Sequence, residues 1–433
     1  MAKLLVQGGR KLMGKVKPSG NKNSILPVLC ATLLTKEKVI LHNVPDIIGV
    51  QKIVEVLKKL GSDLEWNKKT ETLVIENKNL HYDPAKTRLP LGERGAVLLI
   101  APLLSRFKKL SLVSTIGGCT LGIRELDPHF EILKALGVDI KMEEGNINLS
   151  LGKTGGFIGG SYWFDYMSVT STETFLMASV CASGKSVLMN AASEPHVQDL
   201  CHFLNKIGAK IDGTGGSRLE VQGVGGLTGG EFRITSDHQE IATYLALGAM
   251  TGGRIEVEDA LPQHMPLVIR TFGKLGVEIN YDGNTAVVEE NGELRVRKGF
   301  TFNKLVKVEA APWPYFPGDI LPLMMALATK AKGEVLFWNK LYEGAFFWVP
   351  EMVKLGAKVV MCDPHRVIVW GGLPLKGTIL NAPPIIRATV ALYMMAVVAK
   401  GQTEINNAGS IIRAHPNFVE KMVSIGAELK WVE

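Results

Sequence analysis

In the stretch GGCTLGIRELDPH, Gly117 to His129, a cysteine follows two glycines and an arginine stands five residues beyond it. A guanidinium beside a thiol favours the thiolate, and the same cation can bind a phosphate. The alternative for Cys119 is a small apolar packing residue, the commoner fate of an isolated cysteine in a reducing compartment. Lys22 in SGNKNSILP is a compact charge that can bind phosphate and shift its pKa, or else a solvated lysine in the first turn of a helix. Asp319 in YFPGDILP reads as a helix N-cap after Pro317 and Gly318. Arg94 in GERGAVLL, Arg387 in IIRATVALY and Arg413 in SIIRAHPN read, taken alone, as surface charges. Asp237 and Glu240 in SDHQEIATY read as a capping pair at a helix start. An anionic small substrate would suit a few inward-facing arginines and lysines.

These residues need large elements to position them. A chain of 433 residues exceeds a single hydrophobic core, and two domains are expected. With 46% apolar and 21% charged residues the composition is that of a globular protein. The longest apolar runs, such as AVLLIAPLL, are too short to span a bilayer, and no signal peptide is indicated at the N-terminus. Five cysteines (30, 119, 181, 201 and 362) form no C-x-x-C pair, which points to a reducing cytoplasm. Cys30, Cys181 and Cys201 sit among apolar residues and read as buried packing. A net charge of +7 without basic and aromatic residues clustered as a binding module does not favour nucleic acid.

A short word recurs six times: LGSDL at 60, LGVDI at 136, IGAKI at 207, LGVEI at 275, LGAKV at 355 and IGAEL at 425. Its glycines are 68 to 80 residues apart. Each word ends a helical pattern, as in VQKIVEVLKKLGSDLEW, and an alternating strand pattern follows. Upstream lie helices that are apolar nearly all round, which predicts burial in a domain interior. The unit is helix, strand, helix, strand. Six units predict an α/β chain of two domains, each with three units. A P-loop and a G-x-G-x-x-G loop are both absent.

The six units, SGNKNSILP and GGCTLGIR together resemble the UDP-N-acetylglucosamine 1-carboxyvinyltransferase family of enolpyruvyl transferases over essentially the whole chain. More distantly the chain is similar to 5-enolpyruvylshikimate-3-phosphate synthase. The resemblance implies two inside-out α/β barrels with the active site in the cleft between them. Residues 22–235 would form one domain, and 1–21 with 236–433 the other. It implies transfer of the enolpyruvyl group of phosphoenolpyruvate to the 3-hydroxyl of UDP-N-acetylglucosamine with release of phosphate, the first committed step of peptidoglycan synthesis. The partners would be those two small molecules, with no cofactor and no metal.

The residue roles carried by this resemblance are specific. Lys22 and Asn23 match the pair at the phosphoenolpyruvate site, with Arg387 and Arg413 as two further arginines around it. Arg94 matches an arginine near the acceptor sugar. Cys119 matches the proton donor or covalent-adduct site on a lid loop, with Arg124 beside it, and would be the target of the epoxide fosfomycin. Asp319 matches the base for the sugar hydroxyl. The segment Glu125, Leu126, Asp127 and Pro128 would cradle the uridine, with Tyr166, Ser168, Val169 and Leu341 as further substrate-binding positions.

Departures from the family pattern fall in the same places. Glu125 replaces a proline, Tyr166 a lysine that meets the UDP phosphates, and Thr170 a glycine. Ala345 stands where the family has an arginine on the phosphoenolpyruvate side, and Ile385 where it has an aspartate. Each lost cation would cost roughly 10- to 150-fold unless neighbours such as Lys340 or Arg366 substitute. Another nucleotide or sugar acceptor, or a UDP-sugar-binding paralogue with weak or no turnover, are the alternatives these departures support.

Overall fold

The computed structural model describes residues 2–83, 94–113, 126–143, 146–152, 155–300 and 304–432. Cys119, Arg124 and Glu125 lie outside them. The chain divides into two compact units at Ser19/Gly20 and Thr235/Ser236. One runs from Gly20 to Thr235. The other combines the residues before Gly20 with those from Ser236 onward.

The recurring glycines set the local structure. Gly61, Gly137, Gly208, Gly276, Gly356 and Gly426 all have φ between 81° and 104°, and each follows the last residue of a helix by two. At the first of them the Gly61 N–H donates to the Lys58 carbonyl and the Ser62 N–H to the Leu57 carbonyl, both at 3.0 Å. This pairing closes a helix through a left-handed residue, which glycine adopts without a Cβ penalty. The helix it ends, Ile48–Lys59, buries Val50, Ile53, Val54, Val56 and Leu57, while Glu55, Lys58 and Lys59 face solvent.

Among the described residues each unit holds three small sheets. In the first unit, Val39–His42 pairs antiparallel with Thr72–Glu76 and parallel with Gly230–Arg233. The strand Lys185–Met189 pairs antiparallel with Arg218–Gln222 and parallel with Ser161–Trp163. The third sheet is Lys109–Val113, Asn146–Leu151 and Val138–Glu143, antiparallel throughout. In the second unit, Lys3–Gln7 lies between Gln402–Asn406 and Glu428–Val432, antiparallel to both. The first residues of the chain therefore build the same sheet as the last.

Helices without a polar face fill both units. His238–Thr251 is buried from His238 to Met250, Ile386–Val398 from Arg387 to Val397, and Val169–Ser179 from Ser171 to Ser179. They are buried on every side, with few charges and no polar stripe facing solvent, so they occupy the cores while amphipathic helices such as Ile48–Lys59 keep a charged face outside. Among the described residues no helix is long and apolar enough to cross a membrane. Cys30 and Cys201 are buried as expected; Cys181 is only half-buried, in the turn after the Val169–Ser179 helix.

Candidate active site

In the first unit, Lys22 and Asn23 are the first two residues of the helix Lys22–Ala31, both half-buried. Asn21 caps this helix by accepting from the Asn23 N–H at 2.8 Å. One turn in, the Ser24 hydroxyl donates to the Asp199 carboxylate, which also accepts from the Thr235 hydroxyl at 2.6 Å and the Thr235 N–H at 3.3 Å. Burial pushes the Asp199 carboxyl up, against these bonds. The helix start that carries Lys22 is thereby fixed from two distant segments.

Leu126 precedes the helix Asp127–Ala135, where Asp127 is exposed and Pro128 buried. Tyr166 is exposed. Ser168 and Val169 open the next helix, with the Ser168 hydroxyl donating to that of Ser171 at 2.8 Å. Arg94 begins the short 3₁₀ helix Arg94–Leu99.

His129 ties two of these segments together. Its Nδ1 is 2.8 Å from the Thr174 hydroxyl and its Nε2 3.1 Å from that of Thr170. Thr170 is thus a bonding partner of the helix Asp127–Ala135. Burial pushes the His129 pKa from 6.5 down to about 4, so the imidazole is neutral at physiological pH. The unfolded chain accepts a proton that the folded one refuses, so stability falls as pH drops from about 6.5 towards 4. The linked loss at pH 4 is of order 3 kcal/mol. His129→Gln keeps a donor and an acceptor but does not titrate, so its unfolding midpoint is expected to fall less steeply over that range. Parallel midpoint curves for the two proteins would contradict the assignment.

In the second unit, Asp319 and Arg387 meet at the start of the helix His238–Thr251. Asp237 caps that helix, accepting from the Gln239 N–H at 2.8 Å and the Glu240 N–H at 3.4 Å. Gln239 donates through Nε2 to Asp319 Oδ2 at 3.0 Å. Arg387 is only 7% exposed; its Nη2 is 3.4 Å from Asp237 Oδ2 and its Nη1 2.6 Å from His415 Nε2. His415 Nδ1 is 2.8 Å from Glu240 Oε1. Glu240 Oε2 accepts from the Ser19 N–H at 2.8 Å and from Lys421 Nζ at 3.3 Å. Burial alone would push the Glu240 carboxyl up; Lys421 and His415 outweigh it and hold the group well below the usual carboxylate range. Arg413, two residues before His415, is exposed and lines a pocket of about 320 Å³ with Ala382, Pro384, Asn407, Gly409 and Ser410.

Leu341 is half-buried, its N–H bonded to Asn339 Oδ1 at 2.8 Å. A Cβ on Gly318, beside Asp319, would come within 2.5 Å of Leu341 Cδ1, so glycine there permits the close approach of the two loops.

Two sequence expectations are corrected. Asp319 does not cap the following helix: Leu321–Ala328 has Ile320 at the cap position and no side-chain cap bond. Pro322 removes an N–H that a cap would satisfy, and Asp319 turns to Gln239 instead. Glu240 does not reach back as a capping-box partner, because Ser19, His415 and Lys421 take both of its oxygens. Lys340, named above as a neighbour that could substitute, pairs with Glu309, and Arg366 with Asp363 at 2.6 Å; both lie over the Trp338 ring. Ala345 and Ile385 are packed in the apolar core. His415 and Lys421 were missed from the sequence; the only local signal was the spacing of His415 from Arg413 in IIRAHPN.

The family described as EPSP synthase (3-phosphoshikimate 1-carboxyvinyltransferase) matches residues 6–422. A UDP-N-acetylglucosamine 1-carboxyvinyltransferase of Borrelia garinii subsp. bavariensis is 39% identical over 433 residues, covering 100% of both chains. One from Bradyrhizobium diazoefficiens is 36% identical over 99% of this chain and 97% of its own. Among solved structures, the enolpyruvyl transferase NikO from Streptomyces tendae superimposes with a TM-score of 0.85 at 20% identity, covering 100% of this chain and 99% of that one. EPSP synthase from Acinetobacter baumannii gives 0.79 at 14% identity, covering 100% of both chains. Those two likenesses are of fold, and the fold is α/β. With sequence matches along nearly its whole length, the chain belongs to the EPSP synthase family.

Proposed function

We propose that this protein transfers the enolpyruvyl group of phosphoenolpyruvate to the 3-hydroxyl of UDP-N-acetylglucosamine, releasing phosphate, in the cytoplasmic synthesis of peptidoglycan. The observation that carries the reading is 39% identity over the full length to a carboxyvinyltransferase of that name. In this reading the two units are the inside-out barrels of the family, with three repeats each. The three sheets per unit and the buried helices support it.

The residues divide the chemistry as follows. Adding the sugar O–H across the vinyl double bond places oxygen on C2 of phosphoenolpyruvate and a proton on C3. Asp319 takes the hydroxyl proton, and Cys119 supplies the one to carbon. Loss of phosphate from C2 with a proton from C3 restores the double bond and gives the enol ether. Lys22, Arg124, Arg387 and Arg413 hold the phosphate and carboxylate charges throughout. Such cations act more strongly where water is excluded. Arg94 and the segments Leu126–Pro128 and Tyr166–Val169, tied together through His129, receive the acceptor.

Phosphate release should require both phosphoenolpyruvate and UDP-N-acetylglucosamine. Fosfomycin should alkylate Cys119 faster when the UDP-sugar is present. Mass spectrometry finding Cys119 no more reactive than the exposed Cys362 would contradict a reactive lid thiol. The second reading, a different nucleotide-sugar acceptor, is favoured by the exposed Tyr166 in place of a phosphate-binding lysine. It predicts release with another acceptor in a panel and none with UDP-N-acetylglucosamine.

A further inference from the structure

We propose that His415 is a positioning residue for Arg387; this rests on the carboxyvinyl-transfer reading, in which Arg387 binds phosphoenolpyruvate. The bonds of the imidazole define its tautomer. Glu240 is an ionised carboxylate and can only accept, so the proton lies on His415 Nδ1, 2.8 Å from Glu240 Oε1. An arginine can only donate, so Nε2, 2.6 Å from Arg387 Nη1, accepts and carries the lone pair.

The rest of the cluster locks this order in place. Glu240 is held by Ser19, Lys421 and the Tyr244 hydroxyl, the last at 3.4 Å. The Phe418 ring lies 6.0 Å from the imidazole and 4.9 Å from the Tyr393 ring, which walls the histidine on its apolar side. Arg387 then has each terminal nitrogen directed, Nη1 by His415 and Nη2 by Asp237.

A neutral acceptor does something an aspartate cannot. A second carboxylate beside Arg387 would fix its orientation and cancel its charge at once. His415 fixes the orientation and leaves the positive charge for an anionic substrate. Ile385, two residues before Arg387, is buried among apolar residues and offers it no side-chain acceptor; its carbonyl accepts from the Thr389 N–H at 3.0 Å.

The test compares His415→Phe, which keeps the ring and loses both nitrogens, with His415→Gln, whose amide supplies one acceptor and one donor. His415→Phe is expected to raise the KM for phosphoenolpyruvate roughly 10- to 100-fold, the size of one lost charge-assisted hydrogen bond. The KM for the acceptor should stay unchanged, and His415→Gln should recover most of the loss. In ¹⁵N-labelled full-length protein, NMR should show His415 protonated at Nδ1 and bare at Nε2. The NMR experiment judges the hydrogen-bond relay without turnover, so an inactive wild type would sink the functional reading separately. Bare Nδ1, an unchanged KM in His415→Phe, or an equal rise in both KM values would overturn the proposal. Should His415→Phe fail to fold, His415→Gln with a wild-type KM and the expected tautomer supports it, and a raised KM in a folded His415→Gln counts against it.

Discussion

Asp319→Asn is expected to lower kcat by about 10²–10⁴-fold, the usual worth of a positioned proton-transfer group, with little change in thermal stability. The contrast follows from its surroundings. Asp319 is half-buried and accepts a hydrogen bond from Gln239 Nε2 at 3.0 Å. An asparagine oxygen can accept the same bond, so the loop and the helix Leu321–Ala328 keep their anchor. What is lost is the ability to take a proton from the sugar hydroxyl. Steady-state kinetics beside a circular dichroism melt separates the two effects. A folded Asp319→Asn enzyme with wild-type kcat would remove Asp319 from the chemistry and return it to a loop anchor.

The second large effect distinguishes two arginines that sequence alone treats alike. Arg387→Ala is expected to damage both activity and fold, because Asp237 and His415 lose a buried partner. Removing one member of a buried ion pair costs about 3–5 kcal/mol; here the Nη2 to Asp237 separation of 3.4 Å and the capping bonds that Asp237 keeps favour the low end. A drop of several degrees in unfolding temperature should accompany loss of phosphoenolpyruvate binding. Arg413→Ala should weaken phosphoenolpyruvate binding with the melting temperature preserved, because Arg413 is exposed at its pocket. Equal melting temperatures in the two variants would mean that the Arg387 cluster contributes no stability.

How legible this was in the sequence depended on distance along the chain. The six glycine words were readable because a helix stop is local: a left-handed residue two positions past the helix needs glycine, and the apolar period before it shows which face is buried. The featureless apolar helices announced their burial for the same reason. The pairing of Lys3–Gln7 with strands near the other end was not readable from periodicity, since register is a tertiary property. The Arg387 cluster was the least legible. It brings together Ser19, Asp237, Glu240, Arg387, His415 and Lys421, and no short window of sequence contains even half of them. Local rules misassigned two of its neighbourhood: Asp319 and Glu240 both sit where capping chemistry would put them, yet long-range partners take their oxygens. Resemblance supplied Arg387 and Arg413; only geometry supplied the histidine bonded to Arg387.

The most direct test of the central claim is proton NMR of the reaction of wild-type protein with phosphoenolpyruvate and UDP-N-acetylglucosamine. The account predicts a pair of vinylidene proton signals from a new enol ether on the sugar, growing in step with released phosphate and absent when either substrate is omitted. Phosphate appearing with pyruvate instead of the enol ether, or neither substrate being consumed at high enzyme concentration, would contradict it.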